Sequence, residues 1–361
     1  MPDLRFIAVS GTPARMGESF GEQFREQIHG FFEARMNRLE RVVKQYQPDR
    51  IFSRDAVLET ARGAIDAHRR YDAPIWAEFE GIARGSGLDL DRLLVTNGLT
   101  DIQDLVVQQE QATGAASADV DECTALLVPP DADGGRALIA QTWDMHDDAR
   151  EFLVVVRRKA DDRPETMCLT TTGCLCLIGV NSERVAVGNT NLVPTDARVG
   201  VNYLFTITRA LACRSAAEAA DTVIATPRMS GHNFHIADGT RVINLECTAT
   251  RVARTDVSRP FPHANHYLNA DLAKHEYQRD AGNSTWRQDE MCRLVEDRDG
   301  PVSMEVCWDH LSRTAQQFVP AESRPDTAVA TVATVVIAPA SGRMDVCEGV
   351  AADDNRHQLK L

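Results

Sequence analysis

The sequence predicts an α+β protein whose strands gather into two antiparallel sets with helices outside them, and three observations carry this. Up to about Leu105 the apolar residues recur at helical spacing. From Cys123 onward, short β-prone runs separated by turn residues take over. Strands flank each later helical block with no linker between them, so residues 1–361 read as one compact domain.

Taken in order, Leu4 to Val9 reads as a short strand closed by the turn Gly11-Thr12-Pro13. From Gly17, the residues Phe20, Phe24, Ile28, Phe31, Phe32, Met36, Leu39, Val42 and Val43 predict one long amphipathic helix. Helices over Ser53 to Arg70, Ala73 to Arg84 and Asp89 to about Leu105 follow. Cys123 to Val128 and Ala137 to Trp143 predict a hairpin, with further strands at Phe152 to Arg158, Thr166 to Thr171, Leu175 to Ile178 and Val185 to Val187. A helical middle runs from Tyr203 to Ile224. Strands then resume at Asn233 to Ala237 and Val242 to Cys247 around the hairpin signal Asp238-Gly239. Helices at Thr285 to Val295 and Val302 to Ala315 precede two last strands, Val332 to Ala338 and Met344 to Glu348.

Composition narrows the function classes. With 43% hydrophobic and 25% charged residues, the chain is neither disordered nor fibrous. A net charge of -14 argues against nucleic acid as a partner, because phosphate binding rests on Lys and Arg. The N-terminus lacks the basic start and apolar core of a signal peptide, and no run approaches the roughly 20 apolar residues that span a bilayer. A cytoplasmic protein without a membrane partner is the expectation. Nine cysteines, an odd number scattered through apolar runs, do not suggest a disulfide framework.

One cysteine stands apart. A polar, small-residue run from Gln108 to Asp121 leads into Asp121-Glu122-Cys123-Thr124 and then a β-prone run, so Cys123 sits where a loop becomes a strand. Such a junction can expose a nucleophile; a buried structural thiol is the competing reading.

Asp121-Glu122-Cys123-Thr124, followed after one hairpin by Ala140-Gln141-Thr142-Trp143-Asp144, resembles the centre of the C45 cysteine peptidase-like family, which includes the isopenicillin-N acyltransferases. The likeness extends to Gly11-Thr12-Pro13 with Gly17 and Gly21, Glu80-Gly81-Ile82-Ala83 with Asn97, and Gly179-Val180-Asn181-Ser182 with Val185-Ala186-Val187. His263-Ala264-Asn265-His266 and the last two strands continue it. The resemblance implies an N-terminal nucleophile hydrolase with a four-layer αββα sandwich of two antiparallel sheets. It also implies self-cleavage between Glu122 and Cys123, giving a mainly helical small chain, 1–122, and a large chain, 123–361, that stay associated.

Cys123 would then be both nucleophile and, through its freed α-amine, base. The same resemblance makes Asp144 an orienting carboxylate and Asn265 an oxyanion donor, aided by main-chain N–H groups of Asn189-Thr190-Asn191. It also brings an arginine to pair with Asp144, for which Arg324 is the nearest candidate and Arg313 a weaker one. Thr124, Trp143, Asn191 and His266 fall where substrate would bind. The implied partners are a small-molecule amide or acyl donor and an amine acceptor. No cofactor is implied, and acyl-CoA enters only as a donor. Glu122 stands where the family usually has glycine, and a side chain there restricts the strained backbone that cleavage exploits, so slow or absent processing is also open.

Rival readings have less support in the spacing. His232 and His235 lie on opposite faces of one strand, and Cys174-x-Cys176 lacks structural zinc spacing. A Cys–His hydrolase using His263 or His266 without cleavage, and an inactive binding protein of the same fold, remain as alternatives.

Overall fold

The computed structural model describes residues 4–46, 51–109, 123–130, 135–277, 283–315, 329–350 and 355–361. Glu122 and Arg324 lie outside the described residues.

The chain opens with strand β1 (Arg5–Gly11), followed by helices α1 (Pro13–Gln23), α2 (Arg25–Tyr46), α3 (Arg54–Tyr71), α4 (Ala73–Ser86), α5 (Leu90–Asn97) and α6 (Leu99–Gln109). Strands β2 (Ala125–Val128), β3 (Leu138–His146), β4 (Leu153–Ala160), β5 (Thr166–Thr171), β6 (Ile178–Asn181) and β7 (Ala186–Leu192) come next. Helices α7 (Tyr203–Ala210) and α8 (Ala216–Ala225) interrupt before β8 (Gly231–Ala237), β9 (Val242–Cys247), β10 (Val252–Asp256) and β11 (Phe261–His263). The remainder is α9 (Ala270–Ala273), α10 (Ser284–Glu296), α11 (Met304–Ala315), β12 (Val329–Ala338), β13 (Arg343–Glu348) and β14 (His357–Lys360).

The strands form an eight-stranded sheet, β1-β4-β5-β6-β7-β8-β9-β10, and a six-stranded sheet, β11-β2-β3-β12-β13-β14. The two face each other where β3 meets β7 and β8 and where β12 meets β6. Helices α1, α7 and α8 cover the larger sheet, and α10 and α11 cover the smaller. This is the four-layer αββα arrangement, with one correction: β1 runs parallel to β4, Arg5 opposite Val154 through Gly11 opposite Ala160, so the larger sheet is mixed. The long helical excursion between β1 and β4 makes such a pairing possible, since parallel neighbours cannot be joined by a tight hairpin.

Other differences are local. The long first helix is two, broken at Phe24 (φ -115°, ψ 25°) while the apolar stripe of Phe20, Phe24 and Ile28 continues across the break. The helix expected over Asp89 to Leu105 is also two. Gly98 separates them, and a Cβ there would lie 2.8 Å from the Asn202 side chain. Leu175 to Leu177 precede rather than form β6, because their main chain is taken by helix side chains: Leu175 N–H donates to Asn97 Oδ1 at 2.9 Å and Cys176 N–H to Thr208 Oγ1 at 3.1 Å.

The helical layer is locked by α1 against α4. Cβ atoms at Gly17 or Gly81 would come within 1.9 Å of Glu78 O and 2.3 Å of Ala14 O, so the two backbones touch only because these positions have no side chain. Beneath them, the buried pair Glu78 and Arg158, 2.7 Å apart, ties α4 to β4.

Candidate active site

Cys123 immediately precedes β2, with only 3% of its surface exposed. The nine cysteines, all among the described residues, form no disulfide. Strand β2 is held on both sides, Ala125 pairing with His263 of β11 and with Gln141 of β3. The nucleophile candidate is thus fixed by a central strand, and what β11 brings beside it is Asn265, two residues past the strand end.

Asn265 Oδ1 accepts from the Cys123 main-chain N–H at 2.7 Å and from Arg287 Nη2 at 2.9 Å. Two donors on one atom set the orientation of the amide, since the flipped form would face them with N–H groups. Asn265 Nδ2 donates to Asn191 O at 3.0 Å, linking the site to β7 in the opposite sheet.

Arg287, fully buried on α10, was not among the residues singled out from the sequence. Its Nη1 donates to Cys123 O and, at 2.9 Å, to Thr124 Oγ1, while Nε donates to Asn283 Oδ1 at 2.8 Å. One planar guanidinium therefore gathers the Cys123 carbonyl, the Thr124 hydroxyl and the Asn265 amide. A signal existed: Arg287, Met291 and Leu294 share the buried face of α10 at i, i+4, i+7, so the arginine occupies a core position in the helical stripe. Arg313 lies exposed on α11, 3.0 Å from Asp309.

Asp144, 1% exposed on β3, accepts from Thr331 Oγ1 at 2.7 Å and from Thr142 Oγ1 at 3.1 Å. Thr142 Oγ1 in turn accepts from Thr124 N–H at 3.0 Å, which places the carboxylate at the end of a short chain to the residue after Cys123. Burial raises the Asp144 pKa above the ordinary aspartate value, opposed by the positive charge of Arg287 and by the two hydroxyls.

The remaining candidates fall into place differently. Trp143 is buried in the main core between the sheets. Asn191 is buried, and its side-chain amide has no hydrogen-bond partner among the described residues. His266, half-buried, hydrogen-bonds Ser284 Oγ at 2.8 Å. His263 spends its ring nitrogens on Ala264 O at 2.9 Å and Glu246 at 3.3 Å. His232 turns toward the helices, 2.6 Å from Asp101, whereas His235 lies opposite Gly188 and Asn244. Among the described residues, no group of three or more His, Cys, Asp or Glu side chains could hold a metal. Nor is any helix among them long and apolar enough to cross a membrane.

A family model described as acyl-coenzyme A:6-aminopenicillanic acid acyl-transferase matches residues 131–353, more than half of the chain and the part that carries Asp144, Asn265 and Arg287. The chain belongs to this family. The matched span of this acyl-transferase family member begins just beyond β2, so Cys123 itself stands on the geometry above.

Solved structures similar to this chain include a variant of conjugated bile acid hydrolase from Clostridium perfringens, at 11% identity over 66% of this chain and 92% of that one, with a TM-score of 0.47. Penicillin V acylase from Agrobacterium tumefaciens is similar at 10% identity, 66% and 86% coverage and a TM-score of 0.46. The Caenorhabditis elegans ortholog of N-acylethanolamine-hydrolyzing acid amidase is similar at 13% identity, 60% and 93% coverage and a TM-score of 0.42. No curated protein sequence matches.

Proposed function

We propose that this acyl-transferase family member cuts itself before Cys123, forms a thioester there, and passes the acyl group to water or an amine. The observation that carries the reading is the 2.7 Å bond that the Cys123 main-chain N–H donates to Asn265 Oδ1, its nitrogen being the atom that becomes a free α-amine after the cut. An amine with a reference pKa near 8 is a suitable acceptor for the proton of a thiol on the same residue.

In the proposed cut, the Cys123 thiol adds to the Glu122 carbonyl, the C–N bond breaks with its nitrogen protonated, and water hydrolyses the resulting ester of sulfur. In turnover, the thiol passes its proton to the α-amine as sulfur attacks the acyl carbonyl. Collapse of the tetrahedral adduct expels the donor's amine or thiol carrying that proton; water or an amine then attacks the thioester, its proton passing through the α-amine to the Cys123 sulfur as the C–S bond breaks.

The oxyanion would be met by the second Nδ2 hydrogen of Asn265, whose first is given to Asn191 O, and by the Asn191 main-chain N–H, while the Asn189 N–H is engaged by Gln141 at 3.1 Å. One such donor is worth roughly 3 to 4 kcal/mol of barrier. Asp144 and Arg287 hold the frame around the nucleophile, and the Asn191 amide, without a hydrogen-bond partner among the described residues, is assigned to a polar group of the substrate. The Cys–His alternative finds less support, because His263 is bonded to Ala264 O and Glu246 and His266 to Ser284 Oγ.

Intact mass of the purified protein beside Cys123→Ala tests the proposal. Wild type should give two chains, the larger beginning at Cys123 and gaining an acyl mass on brief exposure to an acyl donor. The variant should stay whole and unacylated. A whole wild type that still turns over amides would reject the self-cut nucleophile.

A further inference from the structure

Strand β6 pairs with β7 only at Gly179 opposite Val187 and Val180 opposite Ala186. Beyond that point no strand among the described residues pairs with β7 on that side, and a main-chain N–H and C=O left there would be buried unpaired. Gln141 takes them. Its Nε2 donates to Asn189 O at 2.9 Å and its Oε1 accepts from Asn189 N–H at 3.1 Å, so one side chain does the work of a missing ladder residue. Gly188 makes the approach feasible, since a Cβ there would lie 2.2 Å from Gln141 Oε1.

These contacts close a ring. Cys123 N–H bonds Asn265 at 2.7 Å, and Asn265 bonds Asn191 O at 3.0 Å. Two residues back along β7, Asn189 is gripped by Gln141. Gln141 is the cross-strand partner of Ala125, two residues past Cys123. We propose that Gln141 is a positioning residue for the nucleophile: by clamping the Asn189 peptide it fixes the spacing of the two sheets beside Cys123, and with it the placement of Asn265. The inference rests on Cys123 being the acylated residue, and it assigns Gln141 no contact with substrate.

Three measurements on the full-length protein test it: p-nitrophenyl acetate turnover, acyl mass on Cys123, and backbone amide exchange of residues 186–192. Gln141→Leu should lower kcat about 100-fold, the scale of an ångström-sized misplacement of reacting groups, while KM changes by less than about threefold. It should also speed exchange across 186–192. Gln141→Glu keeps an acceptor for the Asn189 N–H but sets oxygen against Asn189 O. Protonation restores the donor, so its kcat relative to wild type should recover as pH falls. Wild-type kcat in Gln141→Leu, a loss confined to KM, or a pH-independent defect in Gln141→Glu would overturn the proposal. If wild type itself is never acylated at Cys123, the reaction assigned to the site fails, and the exchange rates alone decide whether the clamp exists.

Discussion

At the scale of single residues, the site turns on a buried cation that serves several acceptors at once. Arg287 bonds Asn265 and Thr124, both at 2.9 Å, and its charge opposes the burial that raises the Asp144 pKa. An apolar replacement would leave the buried Cys123 carbonyl and Thr124 hydroxyl without this donor, at a cost of about 1 to 3 kcal/mol, and would take the opposing charge away from Asp144. Arg287→Met should therefore lower stability by about that amount in urea unfolding, and adding Asp144→Asn should restore part of it; a double variant as unstable as the sum of the singles would deny the coupling. The sequence pointed to Cys123, Asp144 and Asn265 because each sits in a short motif that resembles one of the family's. It did not point to Arg287, since an arginine followed by Gln288, Asp289 and Glu290 reads as a solvated helix face until the Met291 and Leu294 stripe is traced back through it. Gln141 was equally hidden. Its role exists only once a second sheet lies across from it.

Among the elements, hairpins and periodic helices were legible, because turn residues and apolar spacing are local signals. Strand β5 and strand β9 begin and end where the pattern places them, at Thr166–Thr171 and Val242–Cys247. Breaks that preserve an apolar stripe, as at Phe24, leave no trace in the pattern, and short or exposed strands such as β10, β11 and β14 carry too few apolar positions to register. Close backbone contact between α1 and α4 makes a sharp prediction. Gly81→Ala would bring its Cβ to 2.3 Å from Ala14 O and should lower the melting temperature by several degrees or prevent folding, whereas Gly63→Ala on α3, with nothing within 4 Å, should stabilise by about 0.5 to 1 kcal/mol. Equal melting temperatures for the two variants would contradict the packing described.

For the whole molecule, buried histidines tie stability to pH. His68 Nδ1–H donates to Ala64 O at 2.8 Å and Nε2 accepts from Asn202 N–H at 3.0 Å, so the ring is neutral, and burial pulls its pKa down from 6.5 to about 4. His235 is pulled down to about 3 by the same cause, aided by the nearby His263. Unfolded chains bind these protons first, so the stabilisation is complete above pH 6.5 and is lost as pH falls toward 4, by roughly 3 kcal/mol for His68. Asp144 acts in the opposite sense: its raised pKa stabilises the fold at low pH, a contribution lost as pH rises through the folded-state value. Urea unfolding between pH 7 and 4 should show the decline, and His68→Gln should flatten it; an unchanged slope would assign the decline to other groups. Beyond titration, the parallel seam of β1 on β4 means that the first strand is stitched into the same sheet as residues far downstream of Cys123. A scission beside that cysteine would sever the thread without loosening the garment, and the two fragments would part only where the entire molecule comes undone.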